Sequence, residues 1–177
     1  MTALRHRRSA IHRTVWTLGA TMASVLCLST IARAQESGIE VGAKAPAAAV
    51  ETLDGKAANL SQYVGKGPVL MEFWATWCGN CKELEPTLKA MHQKYGTQVK
   101  FVGVSVSVNQ SPERVKLFVQ KHGIPGDQVY DRKGEATGAY DVPATSYVVV
   151  LDKTGKVVYT GLGGEQDLEG AIRKALK

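Results

Sequence analysis

Cysteine is scarce in this sequence, with three residues in 177. That excludes a small disulfide-stapled scaffold, which needs several bridges in place of a core. No second C-x-x-C accompanies Cys78 and Cys81, so the four ligands of a common structural zinc site are missing. Repeats and low-complexity tracts are absent, and six prolines with eighteen glycines suit an ordinary globular chain. Acidic residues are missing from the first 34 positions, which hold Arg5, Arg7, Arg8, Arg13 and Arg33. The formal charge of +6 therefore rests on that segment: beyond it, seventeen basic residues face sixteen acidic ones. Without a basic stripe or a stacking platform, no nucleic-acid binding is expected.

What the sequence does contain begins with that segment. Arg5 to Arg13 form a basic leader, Val15 to Ile31 is uncharged and largely apolar, and Ala32-Arg33-Ala34 gives a small-x-small pattern. Residues 1–34 read as a Sec-type signal peptide cleaved before Gln35, with 35–177 as one domain. An uncleaved membrane anchor is the alternative, although the apolar stretch is just under spanning length and diluted by Ser and Thr. Arg7-Arg8 matches twin-arginine export poorly beyond the pair, and Leu26 before Cys27 suits lipidation poorly. Cleavage removes Cys27 and leaves only Cys78 and Cys81. Their loop is too short to stabilise a fold much by chain entropy, which favours a redox role.

Hydrophobic residues make up 44% and charged residues 21%, enough for a core. Ala47 to Thr52 and Lys56 to Asn59 flank Leu53-Asp54-Gly55, a hairpin pattern. Ser61 to Val64 suggests one helical turn. Val69 to Ala75 is an apolar run interrupted by Glu72 and reads as a buried central strand. Leu84, Leu88 and Met91 follow Cys81 at helical spacing. Phe101 to Val106 is a second buried strand. Ser111-Pro112-Glu113 opens a helix that uses Val115, Phe118 and Val119 and ends at Gly123. A looser stretch runs to Asp141. Thr145 to Leu151 and Val157 to Leu162 form a second hairpin, and Leu168, Ala171, Ile172 and Ala175 mark a closing helix. The expected fold is α/β, a mixed sheet covered by helices on both faces.

The chemistry sits where the central strand meets a helix. Only a thiolate attacks a disulfide, and a helix N-terminus offers unpaired N–H groups and a dipole that favour the anion at Cys78. Cys81, one turn later and expected to be the more buried, waits as a thiol and then resolves the mixed disulfide. Glu72 lies six residues before Cys78. A buried carboxylate has a raised pKa and accepts a thiol proton near neutral pH; the competing reading is a Glu that snorkels to solvent. His92 and His122 are the histidines available for zinc or copper bound at the cysteines; no metal site is expected.

The run Phe73-Trp74-Ala75-Thr76-Trp77-Cys78-Gly79-Asn80-Cys81-Lys82, with Pro86 beyond it, resembles the active site of the thioredoxin superfamily. The signal peptide, the N-terminal hairpin and Ala-Thr-Trp-Cys resemble its exported TlpA/ResA-like branch, over about residues 41–177. The resemblance implies a thioredoxin-like fold. It makes Trp77 a partner-contacting residue, against the reading of an ordinary exposed aromatic, and leaves Trp74 to the core. Pro86 is expected to kink the active-site helix. Pro143 becomes a cis-proline beside the cysteines, with the backbone of Val142 pairing with substrate; a trans proline at a strand edge is the alternative. It implies a periplasmic, monomeric disulfide reductase with no cofactor beyond the Cys78–Cys81 disulfide. Disulfide-bearing exported proteins, for example in cytochrome c maturation, become its substrates, and a membrane electron donor its reductant. Gly79-Asn80 lacks the His of DsbA, which suggests a potential nearer thioredoxin (about −270 mV) than DsbA (about −120 mV). An oxidase or isomerase and a copper-carrying assembly factor are the rival functions.

Overall fold

The computed structural model describes residues 38–177. The signal-peptide reading falls on residues outside that range. The first hairpin pairs β1 (Ala49–Thr52) with β2 (Ala57–Asn59), and Gly55 turns the chain at φ 78°. A 3-10 turn at Leu60–Gln62 follows, capped by the Asn59 side chain. Strand β3 (Val69–Trp74) is buried along its whole length. It leads into α1 (Gly79–Tyr95), then β4 (Lys100–Val106) and α2 (Pro112–His122). Ser111 caps α2 by accepting the Arg114 N–H, and Gly123 ends it in the left-handed region, where a side chain is disfavoured. The chain closes with β6 (Tyr147–Leu151), β7 (Val157–Leu162) and α4 (Leu168–Ala175).

Two elements were absent from the sequence expectation. The stretch before Asp141 holds β5 (Asp127–Asp131) and the short α3 (Glu135–Ala139). Their local signals are weak. Strand β5 begins and ends on Asp, which is depleted in strands, and α3 is five residues long with an internal Gly. Tertiary contacts hold both. β5 pairs in parallel with β4, while the buried Asp131 carboxylate accepts the Ala136 and Thr137 N–H groups and anchors the start of α3.

All seven strands join one mixed sheet in the order β2-β1-β5-β4-β3-β6-β7. Alternation along β3 divides the core. Val69, Met71 and Phe73 pack with Val104, Val149, Ala136 and Tyr140 on the α3 side. Leu70 packs with Leu84, Leu88 and Ile172 from α1 and α4 on the other. Trp74 joins Val115 and Phe118 of α2 in a third cluster that includes both cysteines. Glu72 shares the face of Leu70 and Trp74, so its carboxyl is carried toward α1. Among the described residues, no helix is long and apolar enough to cross a membrane.

Candidate active site

The strand-to-helix junction places the cysteines by local geometry. Cys78 is the N-cap of α1, and its Sγ accepts the Cys81 N–H at 3.0 Å. One of the helix's unpaired donors thus points at this sulfur, a placement that favours a thiolate there. Cys81, one turn on, is joined to Cys78 by a disulfide. Cys78 is 4% exposed and Cys81 7%, so the expected contrast in burial is not present. In the disulfide each sulfur covers the other. Their neighbours Trp77, Gly79 and Asn80 are exposed.

Trp77 is 43% exposed, and its indole N–H donates to the Val108 carbonyl at 2.8 Å. That bond fixes the ring against the loop after β4. Gln110 of the same loop accepts the Thr76 N–H at 2.9 Å and receives the Tyr130 hydroxyl on its backbone carbonyl at 2.7 Å. The loop therefore braces the turn that presents Cys78. Nothing in the local pattern of Gln110 signals this role; only the return of β4 and β5 beside β3 brings it there.

Glu72 is 6% exposed and does not snorkel; its Oε1 has no hydrogen-bond partner. Burial, reinforced by the Glu85 charge and opposed weakly by the Ser146 hydroxyl, pushes its pKa from 4.5 up to about 8. Glu72 and Cys81 line one cavity of about 10 Å³, room for a single water, with Trp74, Lys82, Glu85 and Leu88. The Trp74 indole N–H is likewise buried without a partner. Glu85 has its own partners: the Lys89 ammonium, Nζ at 2.6 Å, and the His122 imidazole, Nδ1 at 3.4 Å. His122 stacks on Phe118, and His92 meets Phe101 edge-on. Among the described residues, no three His, Cys, Asp or Glu side chains are grouped to hold a metal ion.

The structure replaces the cis reading of Pro143 with its trans alternative. Among the described residues there is no cis peptide bond, so Pro143 is trans, and it is exposed. Ala144, Thr145 and Ser146 separate it from β6, whose register sets Tyr147 against Phe73. Of the Val142 backbone expected to pair with substrate, the N–H donates to the Thr137 carbonyl at 3.0 Å. Its side chain packs on the α3-side core, away from the cysteine cluster. Asp141, in the left-handed region, turns the chain directly after α3 and ties these residues to that helix.

A C-x-x-C at a helix N-terminus with a buried acid behind it is an arrangement chemically able to exchange thiols and disulfides. The Redoxin family model matches residues 40–176. The chain belongs to the Redoxin family. It is 30% identical over 146 residues to the thiol-disulfide oxidoreductase ResA of Bacillus thuringiensis, covering 80% of this chain and 82% of that one. It is 28% identical to the thioredoxin-like protein YneN of Bacillus subtilis, over 76% of this chain and 80% of that one. A crystal structure of a putative thiol:disulfide interchange protein DsbE from Chlorobium tepidum superposes with a TM-score of 0.68 at 27% identity, over 78% of this chain and 99% of that one. The protein is thus a thioredoxin-superfamily thiol–disulfide oxidoreductase of the ResA/TlpA-like type.

Proposed function

We propose that the chain is an exported, periplasmic disulfide reductase in which Cys78 attacks, Cys81 resolves and Glu72 manages the proton. The observation that carries this reading is the cavity shared by the buried Glu72 and by Cys81, which lies one turn into the helix that Cys78 caps. The Cys78 thiolate attacks one sulfur of a substrate disulfide, forming a mixed disulfide and releasing the other sulfur as a thiolate. Cys81 gives its proton to the Glu72 carboxylate and attacks Cys78 Sγ. The second substrate sulfur then leaves as a thiolate, and the chain holds the Cys78–Cys81 disulfide with Glu72 protonated. Two electrons have passed to the substrate. A membrane donor must return them, as an oxidising compartment does not.

Direction is argued from the dipeptide between the cysteines. Gly79-Asn80 adds no cation to hold the Cys78 thiolate, so the dithiol is less favoured and tends to donate its electrons. Trp77, braced and exposed, is the surface a protein partner meets first. The substrates are exported proteins bearing disulfides, apocytochrome c among the candidates, and the chain acts as a monomer.

Trapping in cells tests the reading. Cys81→Ser should accumulate mixed disulfides with exported proteins, and Cys78→Ser should trap none and lose insulin reduction. Faster alkylation of Cys81 than Cys78 in the reduced protein would reverse the two roles. Tight stoichiometric Cu(I) binding without turnover would replace the reductase with a metal carrier.

A further inference from the structure

One row of the sheet runs Val148, Glu72, Gly103, Gln128 across β6, β3, β4 and β5. Residues in one row point to the same face. Gly103 therefore leaves a gap between Glu72 and Gln128, and the Gln128 amide fills it. A Cβ on Gly103 would fall on Gln128 Oε1, with Nε2 2.8 Å away. The Gln128 amide N–H donates to the Pro125 carbonyl at 2.9 Å, which identifies the nitrogen end and leaves Oε1 free. Gln128 Oε1 and Glu72 Oε1 are both buried without a partner. Both residues line a second cavity of about 10 Å³, bounded otherwise by apolar side chains such as Leu70, Leu88 and Phe101.

Two acceptor oxygens on residues that line one small cavity make no hydrogen bond. A proton on Glu72 supplies the missing donor. We propose that Gln128 is a positioning residue for Glu72, its amide oxygen accepting the hydrogen bond of the protonated carboxyl in the small cavity the two share. The amide takes no proton itself. It stabilises the acid that Cys81 creates when it closes the disulfide, and it opposes the carboxylate, toward which its oxygen end points. The other charged or titrating groups facing Glu72 come from α1: Cys81, Lys82 and Glu85, the last paired with Lys89 and with His122 of α2. None of them occupies the Gly103 gap.

This inference rests on the proton-accepting role of Glu72, and infrared titration of the oxidised protein separates the two. The carboxylic C=O band lost in Glu72→Gln belongs to Glu72. In the wild-type protein it should persist through neutral pH, at the frequency of a hydrogen-bonded acid. Gln128→Met keeps the volume and removes the acceptor; Gly103→Ala keeps Gln128 and displaces its amide. In each, the midpoint should fall by about half to one pH unit, the worth of one lost hydrogen bond to the neutral acid. A midpoint unchanged or raised in whichever variant folds overturns the role of Gln128 alone. So does a wild-type band at the frequency of a free acid, which needs no variant. A wild-type band already gone below neutral pH overturns the Glu72 reading with it.

Discussion

Glu72 is the residue on which the site's pH behaviour turns. Its pKa is raised from 4.5 to about 8 by burial first and by Glu85 second. A raised folded-state pKa means that the folded chain binds more protons than the unfolded one between those values. The associated stability is complete below about pH 4.5 and is lost as pH rises toward 8. The unfolding free energy from chemical denaturation should accordingly fall across that window, by at most about 1.4 kcal/mol per pH unit, and Glu72→Gln should flatten the slope. The same variant should slow resolution at neutral pH and weaken its pH dependence, because an amide accepts no thiol proton. Rapid-quench analysis of the mixed disulfide reads the second effect, and an unchanged pH–rate profile would leave Glu72 a structural residue. Cys78 belongs at this scale too: its nucleophilic placement is local, created by being the first residue before a helix.

At the scale of elements, α1 carries the chemistry and the loop after β4 steadies it. Leu84 and Leu88 hold α1 on the sheet, and Pro86 is accommodated inside it on the exposed side. Leu84→Ala should cost about 2–5 kcal/mol in chemical denaturation, as a fully buried Leu in a packed cluster does. Gln110→Ala should act differently. It leaves the part-buried Thr76 N–H without its acceptor, at a cost of about 1–3 kcal/mol. The expected signature is faster amide exchange confined to Thr76 and its neighbours, with the rest of β3 still protected. Uniform loss of protection would mean that Gln110 supports the whole fold rather than this turn. The missed elements β5 and α3 teach a related lesson, because β5 has Asp at both ends and α3 is five residues with an internal Gly, and they are held by pairing with β4 and by Asp131.

For the whole molecule, the outcome to measure is the redox state in the cell. A donor of electrons in an oxidising compartment stays reduced only with a continuous supply. Acid quenching, alkylation and a gel shift should find mostly dithiol in growing cells. A predominantly oxidised pair, with a potential near that of DsbA, would favour the oxidase. Mass spectrometry of the exported protein should place its first residue at Gln35, and retention of Arg5 to Arg13 in a membrane fraction would favour the anchor.

The features legible in the sequence are those encoded over a few neighbouring residues. The strand Val69–Trp74, the helix that follows, both hairpins, the Ser111 cap and the Cys78–Cys81 pair at a junction all follow from periodicity, caps and spacing. Glu72 was also legible, as a lone carboxyl inside an apolar run. Its surroundings were not. Gln128 reaches it only because β4 and β5 pair in a register that places Gly103 between them, and Glu85 and His122 meet only because α1 and α2 pack on one face. Pro143 reverses the lesson: its peptide bond is trans, and three residues separate it from β6. Short-range pattern determined where the candidate reacting atoms stand in the chain, whereas strand register and helix packing decided what surrounds them, since side chains far apart in sequence become neighbours only when the sheet is assembled.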